Sequence, residues 1–376
     1  MMESLDRNHF EALARELERR FAAGAGDPWP DEAFDSLALR AFVHQLESNP
    51  TYRAFCEGRG ITPAAVHGWR DVPAVPATAF KHLDLVSTEA TATASGATFR
   101  TSGTTAGPAL RGRHVVPRLS LYRASLIPPF KEHLLPDVGE IRFVSLVPSP
   151  RELPDSSLSY MVGAAAEAFA TEVHWVVSGA GVIDEARVRA VLARLSNMGE
   201  PCLLLGTALA LSHLLDRLGT SRVPPLPEGS RVMETGGFKG STGALSPEAL
   251  HARLRARLGV PPDRVVSEYG MTELLSQLYT PVLREGAGAA GEHVPPPWLR
   301  VRALDPVTLE ELAPGAEGLL AFFDLANLGS VCHVLTEDVG SVTGGRVRLS
   351  GRSSGAEPRG CSRAMDELMA AAGPAL

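Results

Sequence analysis

The sequence predicts an α/β fold closed by a smaller β subdomain. In the middle of the chain, strand patterns at residues 141–147 and 171–177 alternate with helical patterns such as residues 184–195. Such alternation favours a mostly parallel sheet covered by helices. From about Trp298 onward, short β-rich runs replace the helical patterns. These two observations predict an α/β core followed by a β subdomain.

Individual elements follow from local signals. Apolar residues recur at helical spacing over residues 10–21 and 37–46, which predicts helices in the first part of the chain. Residues 202–205 form a short apolar run that leads into a helical pattern at residues 208–218.

The best-marked helix starts at Ser246. Ser246 is a typical N-cap residue, Pro247 suits the first helical position, and Gly259 suits the C-terminal stop. Leu250, Leu254 and Leu258 fall on one face of this helix. We therefore expect a helix with one buried face between the cap and the glycine.

Further strands are expected on either side of the β subdomain boundary. Residues 264–266 read as a strand that ends at the segment SEYGMTE, and residues 317–323 (EGLLAFF) read as another. Residues 342–349 (VTGGRVRL) predict a hairpin that turns on Gly344 and Gly345. The expected regions are a helical N-terminal region (1–90), an α/β core (91–297), a β subdomain (298–350) and a C-terminal tail (351–376).

Composition narrows the class of protein. The 376 residues are 44% hydrophobic and 21% charged, and no apolar run reaches the roughly 18 residues of a membrane span. The first residues lack the layout of a signal peptide, so we expect a cytoplasmic protein with no membrane partner. A net charge of -7 argues against a nucleic-acid partner. The four cysteines are widely spaced without a CxxC pair, which disfavours a disulfide framework or a structural zinc site.

The segment TSGTTAG at residues 101–107 is rich in hydroxyls and glycine. It lacks the lysine of a GxxxxGK[ST] loop, so a P-loop NTPase is not expected. Hydroxyl groups and glycine-freed backbone N–H groups could still surround phosphate oxygens. A solvent-exposed turn explains the same residues equally well, and the segment alone leaves both interpretations open.

Several segments in order carry a family resemblance. TSGTTAG resembles the phosphate loop of the adenylate-forming enzymes, and SEYGMTE (267–273) resembles their second signature. ETGGFKG (234–240) resembles the adenine-side loop, LTEDVG (335–340) the ribose-binding aspartate segment, and LSGR (349–352) the arginine before the domain hinge.

In finer detail the chain resembles the LuxE-type acyl-protein synthetases, with phenylacetate-CoA ligases as more distant relatives. FKHLDLVS, SEYGMTELLSQ and GRSSGAEPRGCSRAMDEL carry this likeness, which extends from about Pro76 to the C-terminus. The resemblance implies the N-terminal core of an adenylate-forming enzyme, with mixed, largely parallel sheets and packed helices. It also implies that the mobile C-terminal domain with the usual catalytic lysine is essentially absent.

The resemblance further implies ATP and Mg²⁺ as cofactors. Thr101 to Gly107 would hold the β- and γ-phosphates, Thr272 the α-phosphate, Glu273 the metal ion, and Tyr269 would lie against the adenine. Asp338 would bind the ribose, and Arg352 the ribose or the α-phosphate; Glu337 replaces the family's more usual glycine beside Asp338. The full set of expected nucleotide contacts is Thr101, Ser102, Gly103, Thr104, Thr105, Gly107, Gly236, Gly237, Glu268, Tyr269, Gly270, Met271, Thr272, Asp338 and Arg352.

Two further residues are candidates for the chemistry. Lys239 is one of only three lysines, with Lys81 and Lys131, and could supply the cation that the missing domain cannot; it could also be a solvated loop lysine. Lys81 is interpreted as structural. Cys361, between Arg359 and Arg363 and just before an expected short helix, is in a setting that favours a thiolate. It matches the acyl-accepting cysteine of LuxE-type proteins, although most cysteines are simply packed in cores.

The leading functional hypothesis is therefore activation of a carboxylic, and by resemblance fatty, acid to acyl-AMP. Transfer to Cys361 and delivery to an acyl-accepting protein, such as an acyl reductase or carrier protein, would follow. An acyl-CoA or acyl-carrier-protein ligase that uses an external thiol is one alternative. A nucleotide-binding module without catalysis is another. The identity of the acid is left open.

Overall fold

The computed structural model describes residues 2–87, 96–101, 111–219, 224–236, 246–353 and 358–373, with side chains from residue 9 onward. It divides into two compact units, which are described separately. The first unit comprises Met1–Pro128, Met271–Ser276 and Pro295–Leu376. The second comprises Pro129–Gly270 and Gln277–Val294.

The elements are numbered in chain order. The helices are α1 (Met2–Ala22), α2 (Asp31–Ser48), α3 (Pro50–Gly58), α4 (Leu119–Leu134), α5 (Ser157–Phe169), α6 (Glu185–Met198), α7 (Ala208–Leu218), α8 (Pro247–Leu258), α9 (Val282–Glu285) and α10 (Arg359–Ala372). The strands are β1 (Val75–Pro76), β2 (Ala97–Arg100), β3 (Arg113–Val116), β4 (Ile141–Ser145), β5 (Ala170–Trp175), β6 (Cys202–Thr207), β7 (Arg231–Thr235), β8 (Val265–Tyr269), β9 (Leu278–Tyr279), β10 (Glu292–His293), β11 (Leu299–Leu304), β12 (Glu317–Asp324), β13 (His333–Thr343) and β14 (Arg346–Arg352).

The second unit contains a largely parallel sheet. Its strand order is β5-β4-β6-β7-β8-β9, in which β5 to β8 pair in parallel and β9 pairs antiparallel with β8. This confirms the α/β expectation. Helices α6, α7 and α8 bury one apolar face each in a core with the central strands, as shown by Leu192, Leu214 and Leu254, which have no exposed surface. Burial of each such leucine stabilises the fold by about 1.5–3 kcal/mol.

Side-chain caps fix where these helices begin. Asp184, Thr207 and Ser246 accept hydrogen bonds from backbone N–H groups of the first turns of α6, α7 and α8. Gly259 closes α8 in the left-handed conformation, with φ of 73°. The predicted start and stop of α8 are thus confirmed, because cap chemistry is local and readable from sequence.

The first unit is built around an antiparallel sheet of order β14-β13-β12-β11, with β1 parallel to β13. The β13–β14 hairpin pairs Thr343 with Arg346 and turns on Gly344 and Gly345, whose φ angles are 57° and 78°. The predicted hairpin is therefore confirmed, since only glycine adopts two successive positive φ angles readily.

The C-terminal region differs from the expected tail. Helix α10 begins at Arg359, so Cys361 lies in its first turn and not before it. The helix packs against α3 and β1, and Leu368 is fully buried. Arg59, the residue directly after α3, forms an ion pair with Glu367. Cys361, Ala364 and Leu368 lie on one face of the helix and are buried, which explains the docking. Within the described residues, no helix has the length and apolar character needed to cross a membrane.

Candidate active site

In the second unit, candidate residues lie at the carboxyl ends of two neighbouring parallel strands. Glu234 and Thr235 end β7, and Ser267, Glu268 and Tyr269 end β8. The register places Glu234 beside Ser267 and Thr235 beside Glu268. In open α/β sheets, ligands bind outside the carboxyl ends of strands. The segment that resembles the adenine-side loop and the segment that resembles the second signature thus start on neighbouring strands of this sheet.

Two buried carboxyl groups dominate the electrostatics of these strand ends. Glu268 is 5% exposed and accepts a short hydrogen bond from the Thr235 hydroxyl. Burial, and secondarily the nearby Glu234, raises the pKa of Glu268 to about 7. Burial likewise raises the pKa of Glu234 to about 7, although a hydrogen bond with Ser267 opposes the shift. At neutral pH each carboxyl can therefore be protonated and act as a hydrogen-bond donor.

Glycines leave space beside these carboxyls. A Cβ atom on Gly270 would lie 2.5 Å from Oε1 of Glu268 and 3.6 Å from Cγ of the buried Gln277. Any other residue at position 270 would therefore displace the Glu268 carboxyl. Gly236 is exposed and has a φ of 73°, a conformation that glycine adopts without strain. Tyr269 is 7% exposed.

In the first unit, side chains from other parts of the chain form hydrogen bonds with the backbone of the segment Met271–Ser276. Nδ1 of His114 lies 2.6 Å from the Thr272 carbonyl, and Nδ2 of Asn327 donates to the Glu273 carbonyl at 2.7 Å. Burial lowers the pKa of His114 to about 4, so the ring is neutral and donates from Nδ1 to the carbonyl. Asp324 accepts from the Leu275 N–H and from the Ser276 hydroxyl. Thr272 and Glu273 are thereby fixed without use of their own side chains.

Glu273 lies within a cluster of charged groups. Its side chain is buried, and burial raises its pKa to about 7. The charges of Arg352 and Lys81 act to lower this pKa, whereas that of Asp338 acts to raise it. The first unit thus brings together three residues that the resemblance assigned to the nucleotide, namely Glu273, Asp338 and Arg352.

Asp338 and Arg352 form an ion pair across a strand pair. They are register partners on β13 and β14, and Nε of Arg352 donates to Oδ1 of Asp338 at 3.2 Å. The Asp338 side chain is 2% exposed, whereas that of Arg352 is 49% exposed. The arrangement presents the guanidinium to solvent while the carboxylate holds it in place.

Thr101 is the one residue of the TSGTTAG segment (101–107) that the structure describes, and it stabilises the β2–β3 pair. Oγ1 of Thr101 accepts a hydrogen bond from the Gly112 N–H at 2.8 Å, and the Thr101 N–H donates to the Gly112 carbonyl. These bonds extend the β2–β3 pairing by one residue on each strand. Ser102, Gly103, Thr104, Thr105, Gly107, Gly237 and Lys239 lie outside the described residues. Their assigned roles stay predictions.

Cys361 is buried and faces away from Asp338. Its side chain is 2% exposed in a cluster with Leu304, Leu319 and Leu335, and its thiol lies 3.9 Å from the Thr336 carbonyl oxygen. Val339 of β13 packs against that cluster, and consecutive side chains point to opposite faces of a strand. Asp338, which directly precedes Val339, therefore projects from the opposite face. The cluster around the Glu273 carboxyl does not include the sulfur.

Sequence reasoning missed four residues of this region. His114, Asn327 and Asp324 hold the backbone of residues 272–276, and Lys81 contributes its charge beside Glu273. The scarcity of lysine singled out Lys81, but its position in the chain, far from the motifs, favoured a structural role. For Asp324 a signal existed, because a carboxylate ends an otherwise apolar strand. The pairings of His114 and Asn327 carry no local signal.

The carboxyl groups suit a magnesium ion that also binds phosphate. Among the described residues, no group of three or more His, Cys, Asp or Glu side chains could hold a metal ion by itself. Mg²⁺ is usually bound through one or two carboxylates together with substrate phosphates and water. Glu273, with Asp338 nearby, provides carboxylate oxygens of the required kind.

Comparison with known proteins identifies relatives in sequence. The model of the family described as "Acyl-protein synthetase, LuxE" matches residues 30–370. A long-chain-fatty-acid--luciferin-component ligase from Vibrio harveyi is 32% identical over 83 residues, which cover 20% of this chain and 22% of that protein. The protein of the same name from Aliivibrio fischeri is 43% identical over 51 residues, or 14% of this chain and 13% of that protein. The aligned segments thus span about a fifth or less of these curated relatives.

Comparison with solved structures concerns the fold. A crystal structure of 2-hydroxyisobutyryl-CoA ligase in an open conformation, with 2-HIB-AMP and CoA, matches with a TM-score of 0.58. The match covers 85% of this chain and 74% of that chain at 16% identity. The adenylate-forming fold expected from the motifs is thereby confirmed.

Proposed function

Because the chain belongs to the LuxE family of acyl-protein synthetases, we propose that it activates a carboxylic acid with ATP. A carboxylate oxygen of the acid attacks the α-phosphorus of ATP, the bond between the α- and β-phosphates breaks, and pyrophosphate leaves. The product is an acyl-AMP. The two curated relatives are named for long-chain fatty acids, which makes a fatty acid the first substrate to test.

The observation that carries this proposal is the cluster of Glu273, Asp338 and Arg352. Adenylation requires two anions to approach each other while charge spreads over the α-phosphate, so the site must supply cations and hydrogen-bond donors. The half-exposed Arg352 guanidinium can donate to the ribose or the α-phosphate, and Lys81 adds a second positive charge near Glu273. The buried Asp338 carboxylate orients Arg352 and can accept hydrogen bonds from ribose hydroxyls.

Glu273 is the proposed magnesium ligand. A bound Mg²⁺ neutralises phosphate charge and polarises the phosphate oxygens. The hydrogen bonds from His114 and Asn327 hold the backbone carbonyls of Thr272 and Glu273 and do not engage the Glu273 carboxyl group. Lys239 stays a candidate for a further cation at the reacting carboxylate.

The finer part of the proposal is that Cys361 accepts the acyl group. The thiolate attacks the carbonyl carbon of acyl-AMP, a C–S bond forms, the C–O bond to the phosphate breaks, and AMP leaves. Cys361 lies in the first turn of α10. Since Cys361 is buried, acylation requires a local opening of its surroundings. The thioester would then be delivered to an acyl-accepting partner protein.

One experiment separates this function from its alternatives. ATP–pyrophosphate exchange is measured with a panel of fatty and aromatic acids, and the protein is then incubated with the best acid and weighed by intact mass spectrometry. We expect acid-dependent exchange in both the wild type and Cys361→Ser, and an acyl mass increase in the wild type alone.

The other outcomes are equally informative. Exchange without any acyl mass increase would support a ligase that uses an external thiol, such as CoA or a carrier protein. A complete lack of exchange with every acid would contradict adenylation and support a nucleotide-binding module without catalysis. An acyl mass increase that survives in Cys361→Ser would exclude Cys361 as the acceptor.

A further inference from the structure

A pocket in the first unit lies next to the buried cysteine. It has a volume of about 180 Å³ and an apolar wall of Ala74, Leu304, Leu309 and Leu335. All four of these residues also pack in the cluster that surrounds Cys361. The pocket and the sulfur are therefore separated by one shared layer of side chains.

The polar side of the pocket is formed by three arginines and Asp71. Arg59, Arg70 and Arg302 line it together with the apolar wall. Nε of Arg302 is buried and has no hydrogen-bond partner, although the same guanidinium donates to the Arg70 carbonyl. A buried N–H without a partner is costly, typically about 1–3 kcal/mol. An oxygen acceptor in the pocket would satisfy it.

Leu309 is the member of the shared wall that lies on the loop between β11 and β12. Leu304 and Leu335 are strand residues, and Ala74 directly precedes β1. Leu309 has a φ of 61°, a left-handed conformation that is costly for a residue with a branched side chain. Its side chain lies over α10, since a Cβ atom on Gly360 would be 2.6 Å from Cδ2 of Leu309. Leu309 therefore both lines the pocket and packs against the cluster that contains Cys361.

We propose that this pocket is the site that holds an acyl chain carried by Cys361, with Leu309 as the side chain that must move to admit it. The inference rests on the proposed acylation of Cys361 and adds where the acyl chain lies. Leu304 and Leu335 cover the chain, and Arg302 lines the same pocket. The volume exceeds that of about 150 Å³ in which an apolar protein cavity binds benzene, so several methylene groups fit.

The test does not depend on ATP. The full chain is treated with hexyl methanethiosulfonate, whose sulfenyl sulfur is attacked by a thiolate to give a hexyl mixed disulfide and methanesulfinate. Modification of each cysteine is followed by peptide mass spectrometry. Sulfonatoethyl methanethiosulfonate serves as the anionic reagent. To correct for the intrinsic reactivity of each reagent, its rate with a cysteine is divided by its rate with a small thiol in solution. The buried Cys202 of the second unit is the internal reference.

Leu309→Gly should raise the rate of hexyl modification at Cys361 about tenfold, because it removes the separating side chain while glycine accepts the positive φ. Val307→Gly is the matched control, since Val307 belongs to the same loop but is 51% exposed and does not line the pocket. Ala74→Phe, which fills the pocket, should slow the hexyl reaction. In the wild type, the hexyl reagent should react faster than the anionic one despite the arginines.

Several results would overturn the proposal. One is equal acceleration by Leu309→Gly and Val307→Gly, and another is a hexyl rate that Ala74→Phe leaves unchanged. Faster reaction of the anionic reagent would show that the arginines, and not the leucines, select the ligand. Pyrophosphate exchange is measured on the same preparations. If no pyrophosphate exchange is detected but the labelling rates follow the predicted pattern, adenylation is contradicted. The assignment of the pocket is then still supported.

Discussion

At the scale of single residues, the Asp338–Arg352 pair is the most direct test of nucleotide binding. Asp338→Asn keeps the shape of the side chain but removes the charge that holds Arg352 and accepts ribose hydroxyls. Hydrogen bonds to charged groups contribute about 1.5–3 kcal/mol, so the KM for ATP in pyrophosphate exchange should rise about 10- to 100-fold. The control is Asp84→Asn, which breaks the exposed Asp84–Arg113 pair of the same unit. Equal KM values for the two variants would contradict a ribose role for Asp338.

Glu268 gives a prediction about pH. Burial raises its folded-state pKa to about 7, above the ordinary 4.5, so the folded state favours the protonated form. This stabilising contribution is complete at low pH and is lost as the pH rises through about 7. Glu268→Gln, which stays neutral, should therefore increase the free energy of unfolding at pH 8 by roughly 1–3 kcal/mol and change it little at pH 5.

Urea unfolding at the two pH values measures this difference. Glu228→Gln, at an exposed position of the same unit, is the control and should change stability by less than about 0.5 kcal/mol at either pH. A stabilisation by Glu268→Gln that is equal at pH 5 and pH 8 would show that the carboxyl is ionised at both pH values in the folded protein.

At the scale of elements, helix α10 decides how Cys361 is presented. Leu368 is fully buried, whereas the adjacent Met369 is 39% exposed. Leu368→Ala should lower the free energy of unfolding of the first unit by about 2–5 kcal/mol, and Met369→Ala by less than about 0.5 kcal/mol. Denaturant unfolding, followed by the fluorescence of the first-unit tryptophans, measures both. Equal and small effects would contradict the docking of α10 in the first unit.

Elements whose signals are local were predictable from sequence. The caps of α8, the turn of the β13–β14 hairpin and the alternation of β4 to β8 with helices each depend on neighbouring residues. The docking of α10 was not predicted, because its partner α3 lies about 300 residues earlier in the chain, as the Arg59–Glu367 bond shows. The bonds from His114 and Asp324 to residues 272–276 are non-local in the same way. The family resemblance identified Glu273 and Asp338 as candidates. It could not identify the distant residues that hold the neighbouring backbone in place.

At the scale of the whole molecule, an acyl-adenylate analogue distinguishes a synthetase from a nucleotide-binding module. A ligand that binds only the folded state stabilises it by RT ln(1 + [L]/Kd), or about 2.7 kcal/mol at 100 times Kd. Enzymes bind mimics of their reactive intermediates more tightly than their substrates. An acyl-sulfamoyl adenosine should therefore raise the melting temperature more than Mg·ATP at equal concentration, and this excess should shrink in Asp338→Asn. A module that only senses nucleotide would respond to ATP at least as strongly, and that result in differential scanning fluorimetry would contradict the proposed adenylation.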